Sequence, residues 1–137
     1  MTYKFIDHTA DIGIVVEGTN PRELFQNAAR AMFEIIADPG GISPRIRETI
    51  CIEGENFADL MINWLRELLY IWSGRELLLS DAAILTIDDN RLEASLKLAP
   101  FHPDRHKILS EIKAVTYHLL EVRHHQEKWE ATIVFDV

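Results

Sequence analysis

The stretch AAILTIDDNRLEASLKL, residues 82–98, decides the fold class. Ala82 to Asp88 and Leu92 to Leu98 alternate apolar and polar residues, the period of an extended chain with one buried face. Between them stands Asp89-Asn90, turn chemistry that tolerates positive φ. The pair reads as a β-hairpin and brings antiparallel pairing with it. Downstream, period two returns in Val115, Tyr117 and Leu119 and again in Trp129, Ala131, Ile133 and Phe135, on either side of a polar turn at His124 to Lys128. Between the two strand regions lies the loop Pro100-Phe101-His102-Pro103, followed by a segment, Arg105 to Lys113, expected to make a short helical turn. Glu111 to Val122 also carries apolar residues three and four apart, so helix competes there; strand is expected for its second half.

Upstream the period changes. Asn20-Pro21-Arg22-Glu23 is a helix start, with an asparagine cap, proline at the first helical position and a glutamate placed to close a capping box. Leu24, Phe25, Ala28, Met32, Ile35 and Ile36 then recur at helical spacing up to about Ala37, and Pro39-Gly40-Gly41 stops the helix. Ile46, Ile50 and Ile52 share one side of a strand. A second helix is expected from about Phe57 to Trp72, with Phe57, Leu60, Met61, Trp64, Leu65, Leu68 and Leu69 as its apolar stripe. Short strands at Lys4 to Ile6 and Ile12 to Glu17 flank a polar junction, Asp7-His8-Thr9-Ala10-Asp11. No internal repeat is evident. The sum is an α+β fold, a two-layer sandwich in which two amphipathic helices cover one face of a mainly antiparallel sheet.

The 137 residues, 47% of them hydrophobic, suit a single domain spanning 1–137. No stretch is apolar and long enough for a membrane span, and the start, MTYKFIDHTAD, lacks the pattern of a signal peptide. The lone cysteine, Cys51, sits in an alternating run where a small apolar residue would serve, so it reads as structural and the compartment as reducing and cytoplasmic. A net charge of −8, with 22 acidic against 14 basic residues, repels a nucleic-acid backbone on average and suits a basic partner.

Few residues offer chemistry. Asp11 and Asp136, from opposite ends of the chain, could give a hard cation two carboxylates on converging strands. Val137 would add its terminal carboxylate if the native chain ends there. The plain alternative is that Asp11 turns a loop and Asp136 ends an edge strand. The six histidines form no ligand set by spacing: His124 and His125 fall in a polar turn, His118 on a half-buried segment, and His102 and His106 straddle Pro103, which opposes a helix joining them. No nucleophile elbow, phosphate-binding loop or dinucleotide fingerprint is present. A free-standing hydrolase built on Asp11 and His8 would lack both nucleophile and oxyanion site.

Four segments carry a family resemblance. Asp7-His8-Thr9-Ala10-Asp11-Ile12-Gly13, Asn63-Trp64-Leu65-Arg66-Glu67-Leu68-Leu69-Tyr70, Glu111-Ile112-Lys113-Ala114-Val115-Thr116-Tyr117-His118 and Ile133-Val134-Phe135-Asp136-Val137, in that order, resemble the archeases. The resemblance implies a protein that is not itself an enzyme. It would assist the GTP-dependent tRNA-splicing RNA ligase, promoting guanylylation of the ligase and its multiple turnover, with RNA touched only indirectly and no membrane involved. It also implies a divalent metal, usually calcium, held by Asp11, Asp136 and Val137, with Asp7 and His8 bordering the same motif. The loop Ala99 to Asp104, APFHPD, departs from the Gly-Glu pair that relatives tend to carry, which leaves the metal motif intact. The rival expectation is an RNA-binding chaperone or tRNA-modification helper that touches RNA directly.

Overall fold

The computed structural model describes residues 3–6 and 11–137. The chain runs through β1 (Tyr3–Ile6), β2 (Asp11–Gly18), α1 (Pro21–Ile36), β3 (Ile46–Glu53), α2 (Phe57–Arg75), β4 (Leu77–Ile87), β5 (Arg91–Pro100), β6 (Ala114–His125) and β7 (Lys128–Asp136). The strand pairings are antiparallel. The α+β class and both amphipathic helices are as the sequence predicts, and the central hairpin is β4–β5, closing with Ile87 opposite Leu92. Its turn does not use positive φ at Asp89 or Asn90. Instead Asp88 Oδ1 accepts from the amides of Asn90 and Arg91, at 2.8 and 2.9 Å, and so supplies the turn with side-chain hydrogen bonds.

The strands divide into two sheets, ordered β1-β2-β7-β6 and β3-β5-β4. Each helix touches both: α1 packs on β2 and β7 of the first sheet and β4 of the second, α2 on β6 of the first and β3 and β4 of the second. The reason lies in the helices. In α1, Leu24, Phe25, Ala28, Ala29, Met32 and Phe33 are all buried, a band too wide for one sheet face to cover. Trp64, fully buried on α2, joins the helices by donating its indole N–H to the Phe25 carbonyl at 3.0 Å. The open edge of β4 is blunted by α1, where Gln26 Oε1 accepts from the Ile84 amide at 2.9 Å and Arg22 Nη1 donates to the Ile84 carbonyl at 2.6 Å.

The two helices begin alike, a likeness that the sequence reading did not bring out. Glu17-Gly18-Thr19-Asn20 leads into α1 and Glu53-Gly54-Glu55-Asn56 leads into α2. Asn20 Oδ1 accepts from the Glu23 amide and Asn56 Oδ1 from the Asp59 amide, both at 2.8 Å. The acids reply by accepting from the Thr19 amide at 3.3 Å and the Glu55 amide at 2.8 Å, so each start is a variant of the capping box in which the acid bonds the residue before the cap. The glycines are required by contact: a Cβ on Gly18 or Gly54 would lie 2.6 Å from the amide nitrogen of Leu24 or Leu60.

Three further expectations are corrected. The helical turn expected over 105–113 is confined to its start, where the Arg105 and His106 amides both donate to the His102 carbonyl; beyond it Ile108 bridges to Ala37, and the amides of Asp38 and Leu109 donate to the carbonyls of Lys107 and Ile36, so pairing with the end of α1 holds the rest extended. Tyr117 and Leu119 do not continue the buried face begun by Val115, being 59% and 54% exposed. Thr116 faces Val134 but Glu121 faces Thr132, so β6 bulges between them, with Leu119 at φ 56, and the period is broken. Cys51 points outward and accepts a hydrogen bond from Arg91 Nε at 3.0 Å, so it fills no core position.

Candidate functional site

The strand pairing answers the question posed by Asp11 and Asp136. Asp11 opens β2 and is paired directly with Asp136 at the end of β7. Residues opposite one another in an antiparallel pair project from the same face, with Cβ atoms about 4.5–5.5 Å apart. Nor does Asp136 end an edge strand, since β7 lies between β2 and β6. Its far side pairs with Ala114, and its carbonyl accepts from the Lys113 amide at 2.7 Å. Val137 follows directly and is 37% exposed. Asp7 and His8 lie outside the described residues.

Two carboxylates facing each other across a ladder repel. The same sheet face carries a second such pair, Glu17 opposite Glu130, at the other end of β2 and β7. There the fold supplies cations: Lys128 Nζ lies 2.9 Å from Glu17 Oε1 and 3.5 Å from Glu130 Oε2, and Arg123 Nη2 lies 3.3 Å from Glu130 Oε1. Burial alone would push the Glu130 carboxyl up, but the hydrogen bond from Arg123 and the charge of Lys128 hold it below the usual carboxylate range. At the Asp11 end the described residues gather no group of three or more His, Cys, Asp or Glu side chains. The donors present are carboxylate oxygens, with backbone oxygens adjacent. That is the donor chemistry of a hard divalent cation such as calcium, which takes about six to eight oxygens and would need backbone, terminal or water oxygens to complete its shell.

The neighbouring sequence segments meet around this pair. β6 begins beside Asp136, and α2 fixes that beginning: Arg66 Nε donates to the Val115 carbonyl at 3.2 Å while its guanidinium lies 4.7 Å from the centre of the Tyr117 ring. Asn63, on the same helix, donates to the Glu53 carbonyl at 2.9 Å. The described parts of all four segments singled out in the sequence are thus linked by strand pairing or by α2, with Asp11 and Asp136 at the junction.

This arrangement has relatives. The model of the Archease protein family (MTH1598/TM1083) matches residues 3–137. The chain belongs to the archease family. It is 34% identical to the protein archease of Methanosarcina acetivorans, over 98% of this chain and 95% of that protein. It is also 34% identical to the protein archease of Archaeoglobus fulgidus, with the whole of both chains covered. The solution structure of Methanobacterium thermoautotrophicum protein 1598 superposes with a TM-score of 0.81 at 27% identity, over 99% of each chain. A crystal structure from Thermotoga maritima, described as an archease and possible chaperone, has the same fold, with a TM-score of 0.64 at 23% identity over 98% of this chain and 96% of that one.

The described histidines have separate settings in this archease, and His8 lies outside the described residues. His124 is stacked on Trp129, with ring centres 4.2 Å apart, at the tip of β6–β7. His118 is exposed, contrary to the half-buried setting expected for it. His106 is buried, which its polar surroundings in sequence did not signal. Its Nδ1 accepts from the His102 amide at 2.9 Å, so the ring proton sits on Nε2, 3.1 Å from the Gly41 carbonyl. It is a structural clasp between two loops. Among the described residues no helix is long and apolar enough to cross a membrane.

Proposed function

We propose that this archease is an accessory protein of the GTP-dependent tRNA-splicing RNA ligase, promoting guanylylation of the ligase and its multiple turnover. In this reading Asp11, Asp136 and the carboxylate of Val137 hold a divalent cation, calcium. The supporting observation is the register: two acidic residues from opposite ends of the chain are direct partners on one sheet face, so both carboxylates can reach one cation.

The residues divide the work. Asp11 and Asp136 supply negative oxygens, and the Lys113 amide fixes the backbone at Asp136. A bound cation supplies positive charge and coordination positions at the surface. The net charge of −8 favours approach to a basic cleft on the partner and disfavours free RNA. Proton and phosphoryl chemistry stay with the ligase, so the protein is not itself an enzyme.

The test is multiple-turnover RNA ligation by a cognate ligase with GTP, with this protein present below the ligase concentration. Turnover rises with the unaltered protein and stays at the ligase-alone level with folded Asp11→Ala or Asp136→Ala. Equal activation by both variants overturns the metal assignment. No activation by the unaltered protein, with salt-sensitive binding to RNA alone, favours the RNA-chaperone reading instead.

A further inference from the structure

The outer face of the β3-β5-β4 sheet is electrically lopsided. At one end the charges are mixed: Glu53 pairs with Arg91, and Cys51 with Glu93. At the other end Arg47 is the direct partner of Lys97. Arg45 lies just before β3, its amide donating to the Leu98 carbonyl at 2.9 Å. Arg45, Arg47 and Lys97, with Pro44 and Ile46, line a cavity of about 270 Å³. On its other side Lys97 is the direct partner of Asp81, but that carboxylate forms its ion pair with Arg30, at 4.0 Å. Arg45, Arg47 and Lys97 make no side-chain hydrogen bond or ion pair among the described residues.

Like charges set opposite one another on a sheet are destabilising, and in a chain of net charge −8 there is no shortage of acids to pair them with. Edge protection accounts for part of the pattern, since β3 is an edge strand and charged residues discourage strand addition. It does not account for Lys97, which lies on the central strand β5.

We propose that this cavity is a binding site for a small polyphosphate anion. Two guanidinium groups and an ammonium supply fork and point donors for phosphate oxygens, and the ligand's negative charge relieves their mutual repulsion. No aromatic ring lines the cavity, so it lacks a platform for stacking a nucleic-acid base. The protein's overall negative charge also repels a polymer more strongly than a small ion. The site is separate from the Asp11–Asp136 junction, which belongs to the other sheet.

Tripolyphosphate titrated into the full-length protein tests this, followed by amide chemical shifts. Saturable shifts are expected at residues 44–47 and 96–98, and the double variant R47Q/K97Q should weaken binding about tenfold or more. In the absence of ligand that variant should melt at the same temperature as the parent or above it, because a repulsive pair has been neutralised. A lower melting temperature marks the two charges as structural and overturns the proposal. So do unchanged affinity in the variant, shifts confined to other residues, or binding of single-stranded RNA without binding of tripolyphosphate.

Discussion

Asn27 and Asn63 make the same hydrogen bond in two places: each donates Nδ2 at 2.9 Å to the carbonyl of a glutamate ten residues earlier, Glu17 for one and Glu53 for the other. Each ties the second turn of a helix to the end of the strand before it. With the capping asparagines and the close-contact glycines, this makes β2–α1 and β3–α2 two copies of one strand-to-helix connection.

Asn27→Ala should cost more than Asn63→Ala. Asn27 is 4% exposed and its bond part-buried, so its loss leaves the Glu17 carbonyl short of a donor, a penalty of about 1–3 kcal/mol, whereas water can reach the exposed bond of Asn63. Gly18→Ala and Gly54→Ala should each destabilise by about 1–3 kcal/mol, because the added methyl meets helix backbone that cannot yield without moving α1 or α2. Urea denaturation of the four variants ranks them; an Asn63→Ala loss exceeding that of Asn27→Ala contradicts the burial argument.

Calcium should raise the melting temperature, and a chelator should abolish the rise. Ligand at a hundred times its dissociation constant stabilises by about 2.7 kcal/mol. Asp11→Asn or Asp136→Asn should remove that gain, because each takes one charged oxygen ligand from the pair. Adding one glycine after Val137 tests the terminal carboxylate by the same melting assay, with a smaller calcium shift expected.

Acid should weaken the protein partly through Glu48. Its carboxyl is held below its ordinary range chiefly by the hydrogen bonds from Arg75, one of them at 3.0 Å. A depressed carboxylate stabilises fully above its unfolded value and loses that contribution as pH falls through the folded one. Both partners are partly exposed, at 40% for Arg75 and 29% for Glu48, so the effect is modest. Glu48→Gln should be less stable than the parent at neutral pH, and the difference should vanish below the carboxylate range. A gap that persists into acid points to a packing role for Glu48.

His106→Ala should release two loops together. The change removes the acceptor of the His102 amide and the donor to the Gly41 carbonyl. A loss of about 1–3 kcal/mol is expected, with faster amide exchange at 102–106 and near Gly41. Faster exchange in one loop alone would show that the ring does not couple them.

Local chemistry made the start of α1, the β4–β5 hairpin and the strands of β3, β5 and β7 legible in the sequence, because capping and alternation act between near neighbours. The four segments that resemble archeases were legible too, as was the acidic balance. Tertiary structure decided the rest. Whether Asp11 and Asp136 face each other depends on register between strands from opposite ends of the chain, where a slip of one residue would turn one side chain to the other face. The outward turn of Tyr117 and Leu119 depends on a bulge against β7, and the convergence of Arg45, Arg47 and Lys97 on the pairing of β3 with β5. Even the repeated helix entry hid in plain sequence, since its meaning lies in carbonyls and amides that meet only when each helix folds back on its strand.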